Sequence, residues 1–250
     1  VSPKPSAMRK PKPHAERLGG AVLTWLGHST FKIQTPTGKA VLIDPWVMNN
    51  PACPTEHRKF EKIDLMLITH GHFDHIGDAV ELAKLHKPPV VAIYETCHWL
   101  GTKGVQNTCP MNKGGSQTLA DVRITMVHAD HSCGILDDGK IVYGGEAVGY
   151  VIELENGFRI YHAGDTNVFG DMKLIADLYH PEVACLPIGD LFTMSPKEAA
   201  LAVRLLGAGL VVPMHHGTFP ALTGRAEALQ ALVRDTSSEV ALLKPGESLR

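Results

Sequence analysis

The stretch "ITHGHFDHIGD", residues 68–78, sets three histidines and two aspartates into eleven positions. A packed core has no use for that spacing, because each buried imidazole or carboxylate needs its own polar partner. His70 and His72, two apart in a loop, can turn their rings toward one point, while Asp74 and His75 can face a second point beside it. Neutral imidazole and carboxylate are ordinary ligands for zinc, nickel, iron and manganese. Four ligand-type residues in six positions therefore predict two adjacent divalent cations, and any fold of this chain must deliver further ligands to that loop.

The rest of the sequence predicts strands that do so. "IDLMLITH" (63–70) is a nearly continuous apolar run, as expected of a strand covered on both faces, and it ends on His70. "AVLTWLGHSTFKIQT" (21–35) and "KAVLIDP" (39–45) read as hairpin strands around Pro36, Thr37 and Gly38. "DAVELAKLH" (78–86) has helical spacing and precedes the strand "VVAIYE" (90–95), a β-α-β unit. "DVRITMVHADH" (121–131) is a strand leading to His131, and "VGYVIELENGFRIYHAGDT" (148–166) is a hairpin turned at Asn156-Gly157 that leads to Asp165. A helix over 172–179, a strand over 182–189 and a helix over 195–209 follow, the last opened by a Ser195, Pro196, Glu198 capping box and closed at Gly207. "LVVPMHH" (210–216) is a further strand ending in histidine. Hairpins first and alternating helices later predict an α/β sandwich, two mixed sheets face to face with helices on the outer faces. The predicted ligand sets are His70, His72 and His131 for one cation and Asp74, His75 and His215 for the other, with Asp165 bridging.

With 250 residues, 44% hydrophobic, the chain can bury one large core. Residues 1–20 hold four prolines and a local charge of +4, and read as an extended basic arm ahead of a domain over 21–250. The net charge is −2 overall and −6 without the arm, which argues against a nucleic-acid or membrane partner and for a small molecule; self-association is left open. Five cysteines without a CxxC argue against a zinc ribbon and suit mostly reduced thiols. No apolar run reaches the roughly 18 to 20 residues of a bilayer span, and the start lacks a signal-peptide core, so the expected location is cytoplasmic.

Taken together, "WLGHSTF", "IDPW", "ITHGHFDHIGDA", "HADHSC", "IYHAGDTNVFGDM", "LPIGDLFTMSPKEAA" and "PMHHGTFP" resemble the metallo-β-lactamase fold hydrolases, and within them the UPF0173 type of metal-dependent hydrolase related to ascorbate-6-phosphate lactonases. The HxHxDH motif of the family is met in full by "HGHFDH". The resemblance implies an αββα sandwich with the metals at one edge between the sheets. Two positions depart from the pattern: His216 stands where an aromatic residue commonly follows the last ligand, so His215 and His216 are both candidates, with His215 favoured. Cys133 replaces a usual serine, as a packing residue or as a thiol near the metal. His28, Asp44 and Asn112 are weaker candidates for contacts behind the ligands or to substrate, each with a turn or buried hydrogen-bond role as the alternative. His128 and His162 are read as structural, and His98 and Trp99 as part of a packing helix.

The expected chemistry is hydrolysis of a small ester or lactone by hydroxide held between two cations, zinc first and manganese, nickel or iron as alternatives, with Asp74 and Asp165 as the catalytic carboxylates. No serine nucleophile is required, and no GxSxG elbow is present. Rival expectations are a phosphodiesterase or nuclease, a mononuclear iron oxygenase on the same fold, and a binding module without catalysis.

Overall fold

Alternation along the first strands decides how the N-terminal half packs. In a computed structural model, described over residues 18–250, β1 (Val22–Trp25), β2 (Phe31–Gln34) and β3 (Ala40–Ile43) form an antiparallel meander. The strands β4 (Leu65–Leu67), β5 (Val90–Ile93) and β6 (Thr108–Met111) extend it in parallel. Val41, Ile43, Leu65 and Leu67 enter the large core between two sheets, whereas Leu42, Met66, Val90 and Ala92 point the opposite way, as successive strand side chains must. That second set is covered by α1 (Phe73–Ile76), α2 (Ala79–His86) and α3 (Tyr94–Thr102) through Ile76, Ala79, Ala83, Cys97 and Leu100. Burial on both faces is the reason residues 63–70 are so uniformly apolar.

The chain continues through β7 (Ser116–Leu119), β8 (Val122–His128), a separate antiparallel ribbon of β9 (Gly134–Asp137) and β10 (Lys140–Tyr143), then β11 (Val148–Glu153) and β12 (Arg159–His162). The final third comprises α4 (Met172–Tyr179), β13 (Val183–Pro187), α5 (Pro196–Leu206), β14 (Leu210–Met214), α6 (Ala226–Leu232), β15 (Glu239–Val240) and β16 (Ser248–Leu249). The sheet orders are β16-β1-β2-β3-β4-β5-β6 and β15-β14-β13-β12-β11-β8-β7, each part antiparallel and part parallel. This is the expected αββα sandwich. Two bonds tie its halves together beside the histidine loop: the Tyr150 hydroxyl donates to the Ile68 carbonyl (2.7 Å), and the Val148 N–H donates to the Thr69 carbonyl (3.1 Å).

Several expected boundaries shift. Residues 21–35 are two strands, because Gly27 and His28 take left-handed backbone (φ 97° and 54°) and reverse the chain between them. Tyr94 and Glu95, read as the end of a strand, join α3. The strands expected to reach His131 and His215 stop at His128 and Met214, leaving both histidines in loops just past the strand ends. The capping box of α5 is present, with the Lys197 N–H donating to Ser195 Oγ and the Ser195 N–H to Glu198, and Gly207 ends the helix at φ 61°. Of the proline-rich arm, residues 1–17 lie outside the described residues. Leu18 is fully buried in the main core, so the packed domain reaches back beyond residue 21.

Candidate metal centre

Each ligand candidate sits one to five residues past the end of a strand or at the head of α1. β4 delivers Thr69, His70 and His72, α1 carries Asp74 and His75, and the loops after β8, β12 and β14 bring His131, Asp165 and His215. Gly164, at φ 63°, lets the Asp165 loop pass against the histidine loop: a Cβ there would lie 2.7 Å from the Val148 carbonyl oxygen and 2.9 Å from Thr69 Cβ. His28, Asp44 and His215 also have left-handed backbone (φ 54°, 47° and 54°), a conformation that costs non-glycine residues energy and that clusters at functional sites.

The centre of the cluster is Asp165 Oδ2, which lies 3.0 Å from His215 Nε2, 3.2 Å from His75 Nε2, 3.8 Å from His131 Nε2 and 3.9 Å from His70 Nε2. On one side His70 Nε2 and His131 Nε2 stand 3.0 and 3.4 Å from His72 Nδ1. On the other, Asp74 Oδ2 lies 3.9 Å from His75 Nε2 and 3.8 Å from His215 Nε2. Three overlapping groups of ligand atoms result, His70-His72-His131, His70-His75-Asp165 and His28-Asp74-His75-His215, with the atoms of each within 4.8 Å of one another.

Hydrogen bonds behind these atoms select which nitrogen faces inward. His75 Nδ1–H donates to Asp44 Oδ2 (2.8 Å), leaving the fully buried Nε2 without a hydrogen-bond partner and aimed at the two carboxylates. Thr69 donates its hydroxyl to Asp44 Oδ2 (2.7 Å) and so can accept from His70 Nδ1–H (3.0 Å). One buried aspartate therefore fixes two imidazoles, the arrangement by which outer groups orient metal-binding histidines. His28 Nε2–H donates to Asp74 Oδ2 (2.8 Å), and its Nδ1 accepts from the Thr218 hydroxyl (3.0 Å). With both nitrogens engaged, His28 holds Asp74 in place and has no lone pair left for an ion.

The charge state also fits a cation. Burial drives His70 well below its usual value and lowers His72 and His131, and burial holds His28 down at about 4. Asp165 is held well below the carboxylate range by His215 and His75 despite its burial. Asp74 is likewise low, against its burial, through His75 and the His28 bond. Burial opposes a proton on His75, yet Asp165, Asp44 and Asp74 together push that histidine well above its usual value. Low-titrating Asp74 and Asp165 beside the lowered rings of His70, His72 and His131, with a proton drawn onto His75, are a donor set short of positive charge. A divalent ion meets that need, and the unpartnered Nε2 of His75 is the atom it would take up.

A family profile described as "Beta-lactamase superfamily domain" matches residues 39–216. The chain is 58% identical to a UPF0173 metal-dependent hydrolase of Solibacter usitatus, across 91% of this chain and 99% of that one. The chain belongs to the UPF0173 metal-dependent hydrolases of the β-lactamase superfamily. A UPF0173 protein of Koribacter versatilis is 55% identical over 92% of this chain and 98% of its own length. Among solved structures, the metallo hydrolase Igni18 of Ignicoccus hospitalis superimposes with a TM-score of 0.81 at 36% identity, covering 92% of this chain and 97% of Igni18.

Within this UPF0173 chain the remaining candidates separate cleanly. His215 faces the cluster, while His216 stacks on Trp25 (5.1 Å between centroids). Cys133 is buried against the Gly144 carbonyl (3.3 Å) and Thr96, outside every ligand group, so it packs. Of the two roles open to Asn112, the structure shows the turn: it is exposed beyond β6, does not line the cleft, and accepts the Lys113 N–H on its amide oxygen (2.8 Å). Asp78, the second aspartate of the opening stretch, faces away and accepts the N–H groups of Val47 and Met48. His162 is buried, its Nε2 on the Ser29 carbonyl and its Nδ1 taking the Gly164 N–H. His128 is at the surface against Phe169, and His98 is exposed on α3, where Trp99 packs partly on the smaller core. Sequence reasoning gave Asp44 too little weight and missed Thr69, Thr218 and Ser29, whose hydroxyl donates to Asp165 Oδ1 (3.5 Å). Thr69 directly precedes His70, and Ser29 follows His28, which was their only signal.

Asp44→Asn is expected to lower metal affinity about 10- to 100-fold, the usual cost of losing an outer carboxylate, because an amide cannot accept both the His75 and Thr69 bonds with the same charge. Titration of the metal-free variant with zinc checks this, and affinity equal to the parent protein's would remove Asp44 from the site's support.

Proposed function

We propose that this chain is a binuclear metal-dependent hydrolase of small carboxylic esters or lactones. The observation that carries the reading is Asp165 Oδ2 lying where the two donor groups meet, His70, His72 and His131 on one side and Asp74, His75 and His215 on the other. Those residues would hold two divalent ions, with zinc suited to the imidazole-rich donor set. When bound, the ions would supply hydroxide at neutral pH and polarise the substrate's carbonyl oxygen.

The chain's own residues supply the rest. Asp44 and Thr69 lock the His75 and His70 rings, and His28 with Thr218 locks Asp74. Asp74, its side chain 14% exposed, lines the cleft and is anionic, so it can orient an incoming water. In the reaction the water oxygen bonds to the carbonyl carbon, the carbon–oxygen bond to the leaving group breaks, one of the water's protons ends on the released alcohol and the other leaves as the product acid ionises to a carboxylate. The adjoining cleft of about 560 Å³ suits a small molecule. Among the described residues no helix is long and apolar enough to cross a membrane.

Elemental analysis of protein purified without chelator, and again after loading with zinc, manganese, nickel or iron, is the deciding measurement. About two ions per chain, with turnover of esters or lactones, is the expected result. One tightly held iron with no second site on loading would overturn the binuclear reading and direct attention to oxygen chemistry.

A further inference from the structure

The cleft that opens onto Asp74, Asp165 and His215 is walled, beyond those groups, by Phe73, Leu136, Ile141 and Phe192. Four large apolar side chains, each 58% to 80% exposed, converge there from α1, both strands of the β9-β10 ribbon and the loop before α5. Single exposed apolar residues are ordinary, but several meeting from separate segments at a reactive centre mark a surface kept apolar for a ligand. Among the described residues the lining includes no lysine or arginine.

The ribbon is built to hold this wall in place. Ile135 is buried against the backbone of Gly71, where a Cβ would lie 2.3 Å from Ile135 Cγ1, so the glycine inside "HGH" is the docking point for the ribbon. Strand alternation then turns Leu136 outward. At the ribbon's end Asp137 accepts the Trp99 indole N–H (2.8 Å) and pairs with Lys103 (2.6 Å), which fixes it to α3.

We propose that the substrate carries an uncharged apolar acyl or alkyl chain of several carbons, laid across Phe73, Leu136, Ile141 and Phe192 while its ester or lactone carbonyl sits beside Asp165. This rests on the hydrolase reading above. A phosphate or sugar in the outer part of the cleft would lose hydration against these four side chains and find no cation to replace it. Each added methylene, by contrast, gains roughly fourfold in binding until the wall is covered.

The test uses zinc-loaded protein and two readouts. Calorimetric binding of acetohydroxamate, hexanohydroxamate and octanohydroxamate should tighten with length, and kcat/KM for p-nitrophenyl acetate, hexanoate and octanoate should climb likewise. Ile141→Ser and Phe192→Ser should each lower the octanoate-to-acetate ratio at least about fivefold, the loss of one to two buried methylenes' worth of contact, whereas Leu85→Ser, an exposed leucine on α2 remote from the cleft, should leave the ratio unchanged. A binding ladder without ester turnover would sustain the apolar wall and sink the ester reading. Turnover that is flat with chain length, or faster on an equally long substrate ending in phosphate, overturns the proposal. So does a parent protein that self-associates in solution and becomes monomeric on Ile141→Ser while keeping the full ladder, since the wall would then serve contact between copies.

Discussion

Asp165→Ala is expected to release bound metal and to lower kcat/KM at least about 10³-fold, the scale set by removing one partner from a buried charged cluster, about 4 kcal/mol. The carboxylate is buried, and its Oδ2 lies within 4 Å of the inward nitrogens of His70, His75, His131 and His215, so no neighbour can substitute for it. Asp165→Asn keeps the shape and removes the charge, and separates a packing defect from a loss of ligand. Both variants should retain the circular dichroism of the parent protein, because the core between the sheets does not pass through Asp165. Metal content and turnover kept within tenfold in both variants would remove Asp165 from the centre.

Acid should destabilise the metal-free protein well above the pH at which its carboxylates titrate. His28 is held at about 4 by burial, against an ordinary value of 6.5, so between pH 6.5 and 4 the unfolded chain binds a proton that the folded chain refuses. The stability linked to this group is present above pH 6.5 and is lost as pH falls toward 4. The 2.5-unit gap corresponds to roughly 3 kcal/mol. His216, also near 4 through burial, adds a contribution of the same sign, reduced by its partial contact with water. His75 works the other way: its raised value favours the folded state at low pH and that support is lost as pH rises through the folded value. A bound ion would replace that proton, so the loaded enzyme should lose the His75 effect and release metal as the imidazoles protonate. Urea unfolding of EDTA-treated protein at pH 7, 6, 5 and 4 measures the sum. A midpoint that stays constant down to pH 4 would show that unfolding takes up no net protons in this range, and so overturn the expected dominance of the buried, low-titrating His28 and His216.

The pattern "HGHFDH", the apolar run into His70, the capping box of α5 and the Asn156-Gly157 turn were legible because each is a local statement. Ligand spacing, strand alternation and cap chemistry act over a few residues, and they place His70, His72, Asp74 and His75 together whatever surrounds them. The αββα arrangement followed from the order of hairpins and helices. What the sequence left undivided was the choice between neighbours of like chemistry. His215 and His216 differ only in backbone direction: left-handed φ at His215 turns its ring to Asp165, and the next ring falls on Trp25.

Tertiary structure alone made Asp44 the anchor of His75 and His70, since residues 25 and 31 positions apart meet only when β3 and β4 pair in parallel. It alone assigned His28 to Asp74, across 46 residues, and so converted a possible ligand into a support with both nitrogens engaged. It also left Asn112 in a surface turn and turned the Cys133 sulfur onto the Gly144 carbonyl and Thr96, so neither joins a ligand group. The sequence by itself determined which chemistry this chain carries, because ligand type and spacing are written into short stretches. Which side chain holds which, and the apolar wall that the β9-β10 ribbon sets beside them, depend on distances between segments that only the packed sheets bring together.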